Sequence, residues 1–221
     1  MATNAQLSAG LIAGMSQRLM LRCRNLEAGL AATVVYAVWK DICVRTEAWR
    51  VWQLYDVTAG QTEIVIVPTF NVNVRRIVKV KDNGQQLIAG QGYWFHPPFN
   101  IKLRSPEPID NTKSFGVKFV MDPVADDPTA IDPVVFQMWD NAIFNGCMAD
   151  LLEMSNMAWY DKAGGQQKKH KLNYERDLGV LRMDADRPGG QTDEPMIMSS
   201  DYPFVDAGFF RGGDVASTKV V

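Results

Sequence analysis

The chain has 221 residues, 47% hydrophobic and 22% charged, enough apolar material for one substantial core or for one core carrying an inserted module. Its formal charge of -2 argues against a protein that grips nucleic acid by neutralising many phosphates, which needs a positive excess on the binding face. The apolar stretch Leu7–Met15 has no basic residue before it and is far too short to span a bilayer, so neither export nor membrane insertion is expected.

Residues Ala5–Arg24 carry a weak helical pattern interrupted by Gly10 and Gly14. A stronger helix is predicted after Asn25, read as its N-cap, because Leu30, Val34, Val38 and Ile42 recur at steps of four with Val35 and Trp39 beside them. It is expected to run to about Trp49. Cys23, Cys43 and Cys147 are odd in number and far apart, and two lie on apolar helical faces, the pattern of buried free thiols in a reducing compartment.

Turn residues Asp56–Gln61 then announce a change of period. Glu63–Val67, Val72–Lys81, Tyr93–His96, Phe99–Leu103 and Phe115–Met121 are rich in β-branched and aromatic residues and are predicted as strands. Asp82-Asn83-Gly84 marks a hairpin returning near Gln86–Ile88, since Asn and Gly tolerate the left-handed φ of a tight turn. Pro97-Pro98 and Pro106–Pro108 cut the remainder into short pieces, so the middle reads as a small antiparallel module. Asp126 and Asp127 sit between Pro123 and Pro128, where caps and turns account for them.

A second helical cassette opens with Asp132 as N-cap and Pro133 at the first helical position, where its missing N–H costs nothing, and is expected to reach Trp159. Phe136, Trp139, Ile143, Cys147, Leu151 and Met154 form one apolar stripe; Val135, Met138, Ala142, Gly146 and Ala149 form a neighbouring one whose small members admit another helix. The aromatic stripe is expected in the monomer's own core, and the second surface is offered either to another helix of the chain or to another subunit. Gln166–Arg182 is a polar helix whose ridge is Tyr174, Leu178 and Leu181. From about Asp184 the periodicity ends, and Met196, Ile197, Tyr202, Phe204, Phe209 and Phe210 punctuate a Pro-, Gly-, Asp- and Ser-rich segment expected to act as an arm that orders on a partner.

Chemistry is sparse. His96 and His170 have no Cys, Asp or Glu at i+3 or i+4, no CxxC pair occurs, and no nucleophile elbow or phosphate-binding loop is present. Neither a metal nor a cofactor is expected. Gly164-Gly165-Gln166 matches the tripeptide of peptide-release factors, but it recurs at Gly189-Gly190-Gln191, as connectors do. An alternative function from another class is a monomeric ligand-binding or hydrolytic protein using Tyr93, Trp94 and Phe95 of the β module.

The segment Ala37–Trp49, with Ile42-Cys43, Arg45-Thr46 and Trp49, followed by Val57–Gln61, resembles the first half of the head-to-tail adaptor (connector) proteins of tailed bacteriophages, podophage-like. Pro133, Trp139, Asn141-Ala142-Ile143, Gly146-Cys147-Met148, Leu151-Leu152, Met154 and Trp159 resemble the second half. The chain departs from the family at Ile42, where Phe usually precedes the cysteine, and at Met157-Ala158, where Pro and Lys often precede the last Trp. The resemblance implies an α+β fold: an α-helical bundle (1–52 and 126–183) with an inserted antiparallel β module (53–125) and an extended C-terminal arm (184–221). It further implies no catalysis. A dodecameric ring assembled in the host cytoplasm would sit at the head-to-tail junction of the virion, held to the portal by the aromatic arm and attached to tail or nozzle proteins. Double-stranded DNA would pass through its lumen without specific binding, and Lys168, Lys169 and Lys171 are the candidates to face that channel.

Overall fold

Thr3 and Gln6 exchange side-chain and backbone hydrogen bonds in a capping box that satisfies two helix-end N–H groups and starts α1 (Asn4–Arg22). The computed structural model describes residues 3–104, 112–124, 126–155 and 157–186. A left-handed turn at Asn25 (φ 65°) leads into α2 (Ala28–Thr46), so Asn25 reverses the chain and Glu27 takes the cap position. The expected continuation of α2 to Trp49 is not observed. Glu47 adopts φ 50° and ψ 30°, its carboxylate is held by Arg76 and Arg75, and Ala48 N–H donates to Thr46 Oγ1. Released from the helix, Trp49 packs in the core.

The strands follow: β1 (Arg50–Val57), β2 (Glu63–Val65), β3 (Val72–Asp82), β4 (Gln85–Leu87), β5 (Tyr93–His96), β6 (Asn100–Leu103) and β7 (Lys113–Pro123). They form two antiparallel sheets, β1-β7-β3-β4 and β2-β6-β5. β1 is not among the strands expected from the sequence; it forms because Arg50–Val57 pairs along its whole length with β7, from Arg50↔Val120 to Val57↔Lys113. Asn83 (φ 47°) and Gly84 (φ 84°) form the predicted two-residue hairpin between β3 and β4. β7 is the central strand and is buried from Phe115 to Met121 on both faces, with α2 packed against it. Gly116 is required there: a Cβ would lie 2.1 Å from the Trp52 ring that crosses it. Lys81 Nζ stands 5.3 Å from the same ring.

Asp127 caps a 3₁₀ turn at Pro128–Ala130, and Asp132 Oδ1 accepts from Val134 and Val135 N–H at the start of α3 (Pro133–Met138), as the sequence predicts. The single long helix to Trp159 is a correction: Trp139 departs from helical geometry (φ -99°, ψ 11°), and a separate α4 (Asp140–Glu153) follows. Trp159 lies in the succeeding loop, where its indole N–H joins the Met154 N–H in donating to the Leu151 carbonyl at the end of α4. α5 (Gly165–Asp186) starts where Asp161 Oδ2 accepts from Gln166 and Gln167 N–H, after Gly164 at φ 66°. It runs past the expected boundary at Asp184, and Asp186 pairs with Arg50 at 2.7 Å.

The aromatics of the two cassettes find one another. Trp39 lies 5.3 Å from both Trp49 and Trp139 and 5.8 Å from Phe136, and its indole N–H donates to Ala130 O. This cluster welds α2 to α3 and to the start of β1, and it is the monomer's own core. Cys23, Cys43 and Cys147 are buried free thiols, each pushed above the usual thiol range by desolvation.

Candidate functional site

α2, α4 and α5 meet at Gly146. A Cβ there would stand 2.6 Å from Val38 Cγ1 and 2.9 Å from the Tyr174 ring, so only glycine lets the three helices close to this distance. Tyr174 and Leu178 are the buried residues of α5, with Leu181 partly covered. The rest of its attachment is polar. Tyr174 OH donates to Asp41 at 2.7 Å, and burial followed by that bond pushes its pKa far up. Arg45 bridges Asp41 and Glu175, the latter through both terminal nitrogens at 3.1 and 2.6 Å. Arg182 donates to Arg45 O, Arg50 to Ala185 O, and Asn145 joins Asp177 to His170. Glu175 and Asp186 are correspondingly lowered by their arginine partners.

Asp41, Arg45, Tyr174 and Glu175 border a cleft of ≈ 370 Å³ that Asp150, Glu153 and Lys171 also line. Burial, then the neighbouring Asp41 and Glu153 charges, raise the Asp150 carboxyl. Its other charged groups largely pair with one another, so the cleft acts as a clamp for a polar helix. Among the described residues no cluster of three His, Cys, Asp or Glu side chains is placed to hold a metal ion, and no helix is long and apolar enough to cross a membrane.

Trp139, Ala142, Gly146 and Ala149 are buried, and Gly146 and Ala149 border the chain's own α2 and α5. Val135 is half-buried, whereas Met138 is 57% exposed. The residues of the small stripe are therefore split between internal helix packing and the surface, because the break at Trp139 puts α3 and α4 in different phases. Lys168 and Lys169 project from the outer face of α5, and Lys171 borders the cleft. Met196, Ile197, Tyr202, Phe204, Phe209 and Phe210 lie outside the described residues, as do Pro106–Pro108 and Gly189-Gly190-Gln191. In the β module Tyr93 is in the core and Phe95 half-buried, leaving Trp94 exposed with the Arg104 guanidinium 5.9 Å from its ring.

Two surfaces escaped the sequence reading. One is a groove of ≈ 400 Å³ between α1 and α2, walled by Ala9, Ala13, Ser16, Ala28, Ala32 and Tyr36. The other is the outer ridge of α5, where Leu172, Val180 and Met183 are 71%, 51% and 63% exposed. The signal for both was present as apolar residues out of phase with the buried ridge, visible only once that ridge was known. Comparison with known proteins finds no matching family model and no matching curated protein.

Proposed function

We propose that the protein is a structural head-to-tail adaptor of a tailed phage virion, forming a ring, expected to be dodecameric, that docks on the portal, receives the tail or nozzle proteins and lets double-stranded DNA through. It is not an enzyme on this reading. The observation that carries the proposal is the uncovered apolar surface on the outer helices of a bundle with an inserted β module: Leu21 on α1 is 86% exposed, and α5 presents Leu172 and Met183 to water. A lone subunit gains nothing from that arrangement, whereas a ring covers it. The net charge of -2 suits a channel wall along which DNA moves without adhering.

The arm beyond α5 supplies the portal contact in this scheme. Each aromatic among Tyr202, Phe204, Phe209 and Phe210 that becomes buried contributes ~1 to 3 kcal/mol before the ordering cost. Removal of residues 187–221 leaves α5 and its Arg50–Asp186 pair in place and abolishes portal attachment. Sedimentation of the intact and truncated chains with and without portal tests this; equal portal binding by the two refutes the arm. A monomeric ligand-binding protein is the weaker reading, since its aromatic platform reduces to Trp94.

A further inference from the structure

α1 and α5 each pack on both α2 and α4, so that α1 borders one exposed flank of the bundle and α5 another. One flank is a trough and the other a ridge. The α1–α2 trough carries small side chains, Ala9, Ala13 and Ala28 exposed and Ala32 half-buried, among larger ones such as Gln17 and Met20, and none of its lining residues is charged. On the other flank Leu172, Val180 and Met183 share one face of α5, opposite Tyr174, Leu178 and Leu181.

We infer that the outer ridge of α5 from one copy of this chain seats in the α1–α2 trough of the next copy. The occupant is a second copy because the chain carries both halves of the contact, an uncharged trough beside Asp126 and Asp127 and an apolar ridge beside Lys168 and Lys169. The lengths match, since helices of 22 and 19 residues are about 33 and 28 Å long. Charge fixes the direction. Asp126 and Asp127 flank the trough at its Tyr36–Pro128 end, close enough that, after burial, their charges push the Tyr36 hydroxyl up. Lys168 and Lys169 occupy the first turn of α5. Pairing these ends lays α5 parallel to α1, brings Leu172 over Ala9 and Met183 over Met20, and turns the two lysines toward the neighbour's carboxylates and away from a DNA channel. Such a contact joins different patches of identical subunits, the heterologous kind that closes a ring or extends a filament according to its rotation. It is drawn from these two faces, and it also supplies the subunit contact that the adaptor reading needs.

The test uses the full chain with Ala9→Cys in one preparation and Leu172→Cys in another; the native cysteines are buried. Oxidation of the mixture at high concentration is expected to give a crosslinked pair containing one of each, and neither preparation alone should crosslink. Lys168→Glu should weaken self-association about tenfold in sedimentation velocity, and adding Asp126→Lys to the same chain should restore it. Homotypic crosslinks, or association indifferent to the charge changes, overturn the α5-in-trough contact and leave the ring reading standing. Absence of any self-association, alone or on portal, overturns both.

Discussion

Gly146 and Gly10 both sit inside helices, and replacing each by alanine should move stability in opposite directions. Loss of backbone freedom in the unfolded chain and better helix propensity favour alanine by about 0.5–1 kcal/mol at either position. At Gly10 nothing lies within 4 Å of the new Cβ, so that gain is realised in full. At Gly146 the Cβ would meet Val38 Cγ1 at 2.6 Å and two Tyr174 ring carbons at 2.9 and 3.1 Å, and both side chains belong to the packed core. Relief requires α5 to move outward or Tyr174 to rotate, which lengthens its bond to Asp41. Overpacking costs about 1–3 kcal/mol, and with contacts this short on two core side chains about 2–3 kcal/mol applies, leaving Gly146→Ala destabilising by about 1–2 kcal/mol net. For a chain of this size each kcal/mol shifts Tm by about 2–4 °C. Urea and thermal unfolding followed by circular dichroism should show Gly10→Ala raised by about 1–4 °C and Gly146→Ala lowered by about 2–8 °C. If the two substitutions shift the midpoint in the same direction, the three-helix junction described above is wrong.

Tyr174→Phe removes the hydrogen bond to Asp41 and should cost about 1–3 kcal/mol in urea unfolding, with faster hydrogen exchange confined to α5. Gly116→Ala should be the most damaging glycine substitution, since the Trp52 ring must leave its place over β7; near-ultraviolet circular dichroism should lose tryptophan signal, and an unchanged spectrum would count against that packing. Acid should loosen α5. Glu175 and Asp186 have folded pKa values below the ordinary 4.5 and 3.8, so their contribution is present above those values and is lost as pH falls through the folded ones. His170, lowered from the ordinary 6.5 first by burial, adds a loss on the same acid side, and Asp150, raised by burial, works against it. The urea midpoint should therefore fall between pH 7 and 3, and Glu175→Gln should flatten part of that fall; an identical profile for the variant would remove Glu175 from the clamp.

Local signals carried much of the fold. Asp132 and Pro133 marked a helix start because capping depends on the cap residue and the next three N–H groups alone. Asn83-Gly84 marked a hairpin because the left-handed φ is a property of those two residues. The expected strands fell within or next to β2, β3, β5, β6 and β7 for the same reason, their side chains favouring a pleated surface wherever it forms. Trp49 misled: its spacing from Trp39 looked helical, yet Glu47 ends α2, and the indole reaches Trp39 from the entry of β1.

The sequence by itself determined the element types outside β1, the capped start of α3, the buried thiols and the apolar ridge of α5, since each follows from periodicity or from chemistry within a few residues. Only the tertiary structure decided which surfaces remain for partners. Gly146 and Ala149, open in the sequence to another helix of the chain or to another subunit, are occupied by the chain's own helices, while Ala9, Ala13, Leu172 and Met183 are left outside. Whether a small or apolar side chain is covered depends on which distant segment arrives against it, and that is set by the packing of the whole chain.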